Sequence, residues 1–288
     1  MPAVAVSRLR AAEWRKSLRF LALVTLSAAG AALLIAVVVQ GPSPDFRAYW
    51  GFNPSDPYSG VLGTPSAFLY SPVAGLTALP LHLLPFDVAR LLWLALELAC
   101  LVYLLGPWAL AALLFVPILA DLYWGNIQLL VGVAIVIGFR YPAAWALMLL
   151  TKVTPGVGLL WFAVRREWRQ LGIALVVTLA LAVVSGAVVP SWWPGWIRTL
   201  LGSTSLTAPP GLALGIPLWP RLVLAAGITA WAARRGDRWL LPFAVMLATP
   251  AIWLLTPAVL AAVPRLLTAH DHVPVVSTFR REGPPVIP

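Results

Sequence analysis

Asp45 stands in Pro44-Asp45-Phe46-Arg47-Ala48-Tyr49-Trp50, just after an uncharged apolar stretch at residues 20–39. A carboxylate in an aromatic, proline-rich loop at a membrane surface is poorly explained by anchoring. It is suited to accept a proton from a substrate held at the lipid–water boundary, which is the work of a general base. Lys152, in Leu149-Leu150-Thr151-Lys152-Val153-Thr154-Pro155, is one of two lysines in the chain. Two readings are open for it. It can snorkel to an interface, or it can hold an anion such as a phosphate beside the helix break that Pro155 invites.

Further polar residues survive in this apolar chain. Arg47 is two residues from Asp45, either as its ion-pair partner or as a contact to a phosphate. Asp121-Leu122-Tyr123-Trp124-Gly125-Asn126-Ile127-Gln128 is a polar island. Amides beside aromatic rings suit a hydroxyl-rich substrate, whereas the plainer reading is a loop whose Asp121 or Asn126 caps a helix. Glu97 falls inside an apolar run, where an internal partner is expected ahead of a catalytic role. His270-Asp271-His272 reads as a solvated tail, and no metal or other cofactor is expected. The chain has no Walker A loop, no His-Glu-x-x-His and no Gly-x-Ser-x-Gly. A donor would therefore have to arrive already activated and already in the membrane.

The elements that must position these residues are membrane helices. The 288 residues are 61% hydrophobic and 10% charged, against about 25% charged in soluble domains. Uncharged stretches approach the roughly 20 residues of a spanning helix, and the short alternating segments of a β-barrel are absent. The net charge of +10 is spread as punctuation between apolar runs, which excludes a nucleic-acid-binding patch. The lone Cys100 excludes an internal disulfide.

Arginine sets the expected topology. Arg8, Arg10, Arg15, Lys16 and Arg19 put the N-terminus in the cytoplasm. Arg140, the Arg165/Arg166/Arg169 group and the Arg234/Arg235/Arg238 group belong to the same side. Five basic residues fall outside: Arg47, Arg90, Lys152, Arg198 and Arg221. The stretch at 68–85, with three prolines, is expected along the outer interface, and 190–196 as an external loop with interfacial tryptophans. Residues 141–164 and 240–264 each carry a mid-segment proline between arginines of one side. Each is either one kinked helix or a pair of short helices meeting at a break, tolerated at membrane depth where it lines a cavity.

Asp45-Phe46-x-x-Tyr49, Pro57-Tyr58, Phe68-Leu69-Tyr70-Ser71-Pro72, Ala89-x-x-Leu92-Trp93, Gly125-Asn126-Ile127-Gln128, Lys152-x-x-Pro155 and Arg165-Arg166-x-Trp168 together resemble glycosyltransferase family 87, with a weaker echo at Thr249-Pro250-Ala251-Ile252-Trp253. The family's Gly-Gln-x-Asn stretch reads Gly-Asn-Ile-Gln here, and Leu254-Leu255 replaces a polar pair after Trp253. The resemblance implies an all-α polytopic membrane protein, a GT-C-like bundle of about nine to ten transmembrane helices, some short or broken. Residues 1–19 form the basic N-terminus, 20–268 the transmembrane domain with its external catalytic loop at 40–87, and 269–288 a polar, disordered tail.

The resemblance also implies a function. A polyprenyl-phosphate hexose, mannose by family habit, is the donor, and a glycolipid or glycan hydroxyl is the acceptor, at the outer face of the plasma (inner) membrane. Asp45 is then the catalytic base of an inverting transfer. Lys152, Arg47, Arg198 and Arg221 are the expected donor-phosphate contacts. Tyr49, Trp50, Tyr58, Tyr70, Asp121, Trp124, Asn126, Gln128 and Trp253 are expected around sugar and acceptor. The alternative functions are a lipid or solute transporter or flippase and a catalytically degenerate family member.

Overall fold

Apolar runs free of proline become the long helices, and prolines mark where helices stop. The computed structural model describes residues 2–60, 64, 67–203 and 213–268. Helix α1 (Pro2–Gln40) leads into a short helix α2 (Pro44–Gly51). Ser71 then caps α3 (Pro72–Ala78) by accepting the Ala74 N–H, with Pro72 in the first helical position where its missing N–H costs nothing. A 3-10 turn (Leu79–Leu83) follows. The stretch expected along the interface is thus two short turns of helix, too short to cross alone.

Helix α4 (Phe86–Leu105) returns across the bundle, and Arg90 at its start donates to the Val38 carbonyl at the end of α1 over 2.8 Å. Two 3-10 turns (Gly106–Trp108 and Ala111–Leu114) lead to α5 (Val116–Trp124) and α6 (Gln128–Gly138). The backbone at Leu110 runs against Gly30 of α1, in space that any side chain there would fill. Helices α5 and α6 meet at 109°.

Next come α7 (Trp145–Lys152), a 3-10 segment (Thr154–Leu159) and α8 (Leu160–Val164). Helix α9 (Trp168–Val188) carries no charge beyond its first turn and leads to α10 (Trp192–Ser203). Strand β1 (Ala213–Leu214) precedes α11 (Leu218–Arg235) and α12 (Leu241–Ala248). Strand β2 (Ile252–Trp253), a 3-10 segment (Thr256–Ala262) and α13 (Val263–Thr268) complete the described chain. The strands form a two-residue antiparallel pair, Ala213 opposite Trp253.

The protein is an all-α polytopic membrane protein. Among the described residues, three helices are long and apolar enough to cross a membrane alone, Glu13–Gln40, Phe86–Trp108 and Trp168–Val188, or four counting the bent α5–α6 pair. Shorter apolar helices, Pro72–Leu83, Thr154–Val164, Arg238–Ala248 and Thr256–Thr268, accompany them, against the nine to ten spans expected from the sequence. Both ambiguous segments are pairs of short helices. The first breaks at Val153, just ahead of Thr154-Pro155. The second breaks at Thr249, which is extended (φ −62°, ψ 143°) before Pro250. A residue preceding proline is pushed out of the helical region.

The two ends of the bundle differ in charge. At one end Arg165 donates to the Ala233 carbonyl, Arg238 lies over Phe139, and Arg265 donates to the Tyr103 carbonyl. At the other end lie Gln40, the loop of Asp45 and the tips of both broken pairs. Trp192 of α10 donates to the Pro54 carbonyl, which places the tryptophan-rich 190–196 stretch at the Asp45 end. The tail at 269–288 lies outside the described residues.

Candidate active site

An eight-residue helix such as α2 is marginal in isolation, so its neighbours must hold it. Phe46 is fully buried between the rings of Trp93 and Phe86, at centroid distances of 5.6 and 5.9 Å. Tyr49 packs on Trp93 at 5.3 Å, and its hydroxyl meets that of Tyr70 at 2.8 Å. Tyr58 donates to the Tyr70 carbonyl, and Trp50 donates to the Leu84 carbonyl over 2.9 Å. His82 lies 3.3 Å from the Tyr49 carbonyl. Burial raises the phenols of Tyr49, Tyr58 and Tyr70, so they stay uncharged hydroxyls.

The start of α2 is held by the α5–α6 elbow. Gly125 closes α5 in the left-handed region (φ 67°), and a Cβ there would stand 2.7 Å from the Cβ of Phe46. Only glycine combines that φ with so close an approach. Asp121 is fully buried, and its carboxylate accepts the N–H groups of Gln128 and Leu129 at 3.4 and 3.1 Å. It therefore caps α6, which is the plainer of its two sequence readings.

Asn126 sits at the centre of the elbow. Its Oδ1 accepts from the Ile127 N–H at 2.8 Å and from Gln128 Nε2 at 3.4 Å. The Ile127 N–H can only donate, which fixes which end of the amide is which, and Nδ2 is left to donate to Asp45 Oδ2. Lys152, at the end of α7, lies within electrostatic reach of Asp45 and Asp121. Burial raises the Asp45 carboxyl above the ordinary aspartate range, and the Asn126 bond and the Lys152 charge pull it partly back. The result is a carboxylate more basic than a free aspartate, aimed by an amide and within electrostatic reach of the Lys152 ammonium. Such a group can take a proton while the cation steadies a departing anion.

The structure brings Asp45, Tyr49, Tyr70, Asp121, Asn126, Gln128 and Lys152 together. Other expected site residues depart from that cluster. Arg47 does not pair with Asp45: its Nε donates to the Pro42 carbonyl and its guanidinium lies 4.1 Å from the Phe86 ring centroid. Arg221 is 4% exposed, and its guanidinium is spent on four backbone carbonyls, those of Ile216, Leu247, Thr249 and Pro250. Arg198 is exposed on α10, Trp124 is half-buried beside the elbow, and Trp253 is half-buried in β2, its N–H donating to Thr256. Among the described residues, no group of three His, Cys, Asp or Glu side chains is placed to hold a metal ion.

Two buried groups lie beneath α2 on α4, Trp93 and the Glu97 that stood out in its apolar run. Trp93 Nε1 and both carboxyl oxygens of Glu97 are buried and lack a hydrogen-bond partner among the described residues. The expected internal partner of Glu97 is thus not there. The two residues lie one helical turn apart on α4, a spacing that could have linked them in the sequence.

Glycosyltransferase family 87 matches this chain over residues 68–257. A polyprenol-phosphate-mannose-dependent alpha-(1-2)-phosphatidylinositol pentamannoside mannosyltransferase of Mycolicibacterium smegmatis is 26% identical over 172 residues, 51% of this chain. That match spans 41% of the relative's own length. No solved structure matches the chain. The family match takes in Asn126, Lys152 and Trp253 and begins downstream of Asp45.

Proposed function

The chain belongs to glycosyltransferase family 87, and from that membership we propose that it moves a hexose, mannose by likeness to its mycobacterial relative, from a polyprenyl phosphate to a hydroxyl of a glycolipid or glycan. Its glycosyltransferase class and its membrane fold are the premises. The donor, the acceptor and the residue roles are the proposal.

The acceptor oxygen attacks the anomeric carbon while Asp45 takes its proton. The bond from that carbon to the phosphate oxygen breaks, and polyprenyl phosphate leaves with the electron pair. One base and a direct attack invert the anomeric centre. Asn126 aims Asp45, and Lys152 offsets the charge gathering on the leaving phosphate. A phosphate is already a fair leaving group, so no second carboxylic acid is required. The neutral hydroxyls of Tyr49 and Tyr70 stand beside the base to bond sugar hydroxyls. The reaction takes place at the outer face of the plasma membrane with the N-terminus inside. The arginine-rich end opposite Asp45 supports that orientation.

The observation that carries the reading is the Asn126–Asp45 bond, with Lys152 within electrostatic reach of the carboxylate. The experiment is to reconstitute the full chain in vesicles with labelled polyprenyl-phosphate mannose and a membrane glycolipid extract. The expected result is label in a new glycolipid with inverted configuration. Label that crosses the bilayer with the donor intact, or that arrives with retained configuration, would sink the reading.

A further inference from the structure

At the end of the bundle away from Asp45, two turns share one pattern. Arg165-Arg166-Glu167-Trp168-Arg169 joins α8 to α9, and Arg234-Arg235-Gly236-Asp237-Arg238-Trp239 joins α11 to α12. In each turn one arginine is neutralised by the acid two residues on. Arg165 pairs with Glu167 at 2.7 Å and Arg235 with Asp237 at 3.1 Å. Arg165 Nη1 also donates to the Ala233 carbonyl at 3.0 Å, so the turns are fastened side by side. Arg238 is drawn inward over the Phe139 ring, 4.7 Å from its centroid.

Three cations are left over. Arg166, Arg169 and Arg234 are exposed and form no ion pair among the described residues. Arg166 holds a left-handed backbone (φ 59°), and the matching corner of the other turn is Gly236 (φ 82°). Both corners close a helix by the same device, the Glu167 N–H reaching back to the Phe162 carbonyl and the Asp237 N–H to the Ala232 carbonyl. Glycine takes this corner without strain, whereas a branched-out side chain there has a cost. The arginine at 166 is therefore not explained by the turn. Trp168 and Trp231 flank the patch, 62% and 51% exposed, and exposed tryptophan is the residue of the headgroup level.

We propose that these paired turns bind the headgroup of an anionic phospholipid in the leaflet opposite Asp45, its phosphate oxygens held by Arg166, Arg169 and Arg234. Guanidinium forks match phosphate oxygens in pairs, and basic pockets between helices at this level suit such headgroups. The lipid, not a soluble anion, is the occupant because the cations adjoin Trp168 and the apolar flank of α9, where acyl chains would lie. This inference stands apart from the glycosyltransferase chemistry.

The test uses the purified full chain in phosphatidylcholine nanodiscs, with phosphatidylglycerol or cardiolipin added. Lipid retention is read by native mass spectrometry and stability by thermal melting. The wild type is expected to retain the anionic lipid and to melt higher with it. The triple variant R166Q/R169Q/R234Q is expected to retain it on the order of 10²-fold more weakly, from about a factor of five per arginine. The α1 variant R15Q/K16Q is expected to behave as wild type. Arg166→Gly is expected to melt higher in phosphatidylcholine alone yet retain less anionic lipid, which decides the matter even if the triple variant fails to fold. Undiminished retention in Arg166→Gly and the triple variant, an equal loss in the α1 variant, or an equal melting shift from inorganic phosphate alone would overturn the proposal.

Discussion

The two broken helix pairs enter the bundle from the same arginine-marked side and turn back near the level of Asp45, yet their tips are opposites. The α7–α8 tip presents Lys152 with no ion pair among the described residues, within electrostatic reach of Asp45 and Asp121. The α12–α13 tip presents backbone carbonyls, and Arg221 of α11 takes up three of them, from Leu247, Thr249 and Pro250. One tip keeps a charge in reserve and the other has its polar groups satisfied from within. A proline break at membrane depth is therefore not in itself a site. What distinguishes a site is whether the polar groups freed by the break are left to meet something else.

The largest effect that sharpens this contrast falls on the first tip. Lys152→Met is expected to lower transfer by about 10²–10³-fold, the usual cost of one charge-stabilising donor, with the melting temperature kept. A purified variant that transfers at the wild-type rate would erase the distinction between the tips. Arg221→Met at the second tip is expected to do the reverse. Leaving its carbonyls unpaired costs about 2–4 kcal/mol of stability, seen as a lower melting temperature, while the rate of the folded fraction stays close to wild type. A stable but inactive Arg221→Met protein would place the second tip in the chemistry.

A smaller effect concerns how the first tip and the elbow share Asp45. With Asp45 as the proposed base, transfer is expected to be lost as pH falls through the Asp45 pKa, which burial lifts above the ordinary range of about 3.9. Asn126→Ala removes a hydrogen bond that favours the carboxylate, so the acid limb of kcat/KM is expected to move to higher pH, with transfer down about tenfold at neutral pH. An acid limb that stays put would mean that Asn126 does not govern the base.

Much of this was legible in the sequence. The scarcity of charge marks the membrane class, and the arginines sort the ends of the bundle. Thr249-Pro250 marks its break because proline pushes its immediate neighbour out of the helical region, whereas the first break falls at Val153, two residues ahead of Pro155. Asp45 stood out because a carboxylate beside a membrane span needs a reason. What escaped was pairing between distant residues. Asn126 reaches Asp45 across 81 positions, and Arg221 finds carbonyls 26 to 29 residues on. Neither has a local signature, and for Asp121 the same polar type suited either a cap or a ligand until the α5–α6 elbow was seen. Arg47, near Asp45 in sequence, turns away because α2 directs it to Pro42 and Phe86.

The central claim is that Asp45 is the group that takes the acceptor proton. Asp45→Asn keeps the size and the burial of the side chain and removes the base. The decisive measurement is single-turnover transfer from labelled polyprenyl-phosphate mannose by this variant in vesicles, beside donor binding and melting temperature. We expect donor binding and melting temperature near wild type, with transfer reduced by about 10²–10⁴-fold, the span of general base catalysis. Transfer at the wild-type rate by the folded variant would contradict the account.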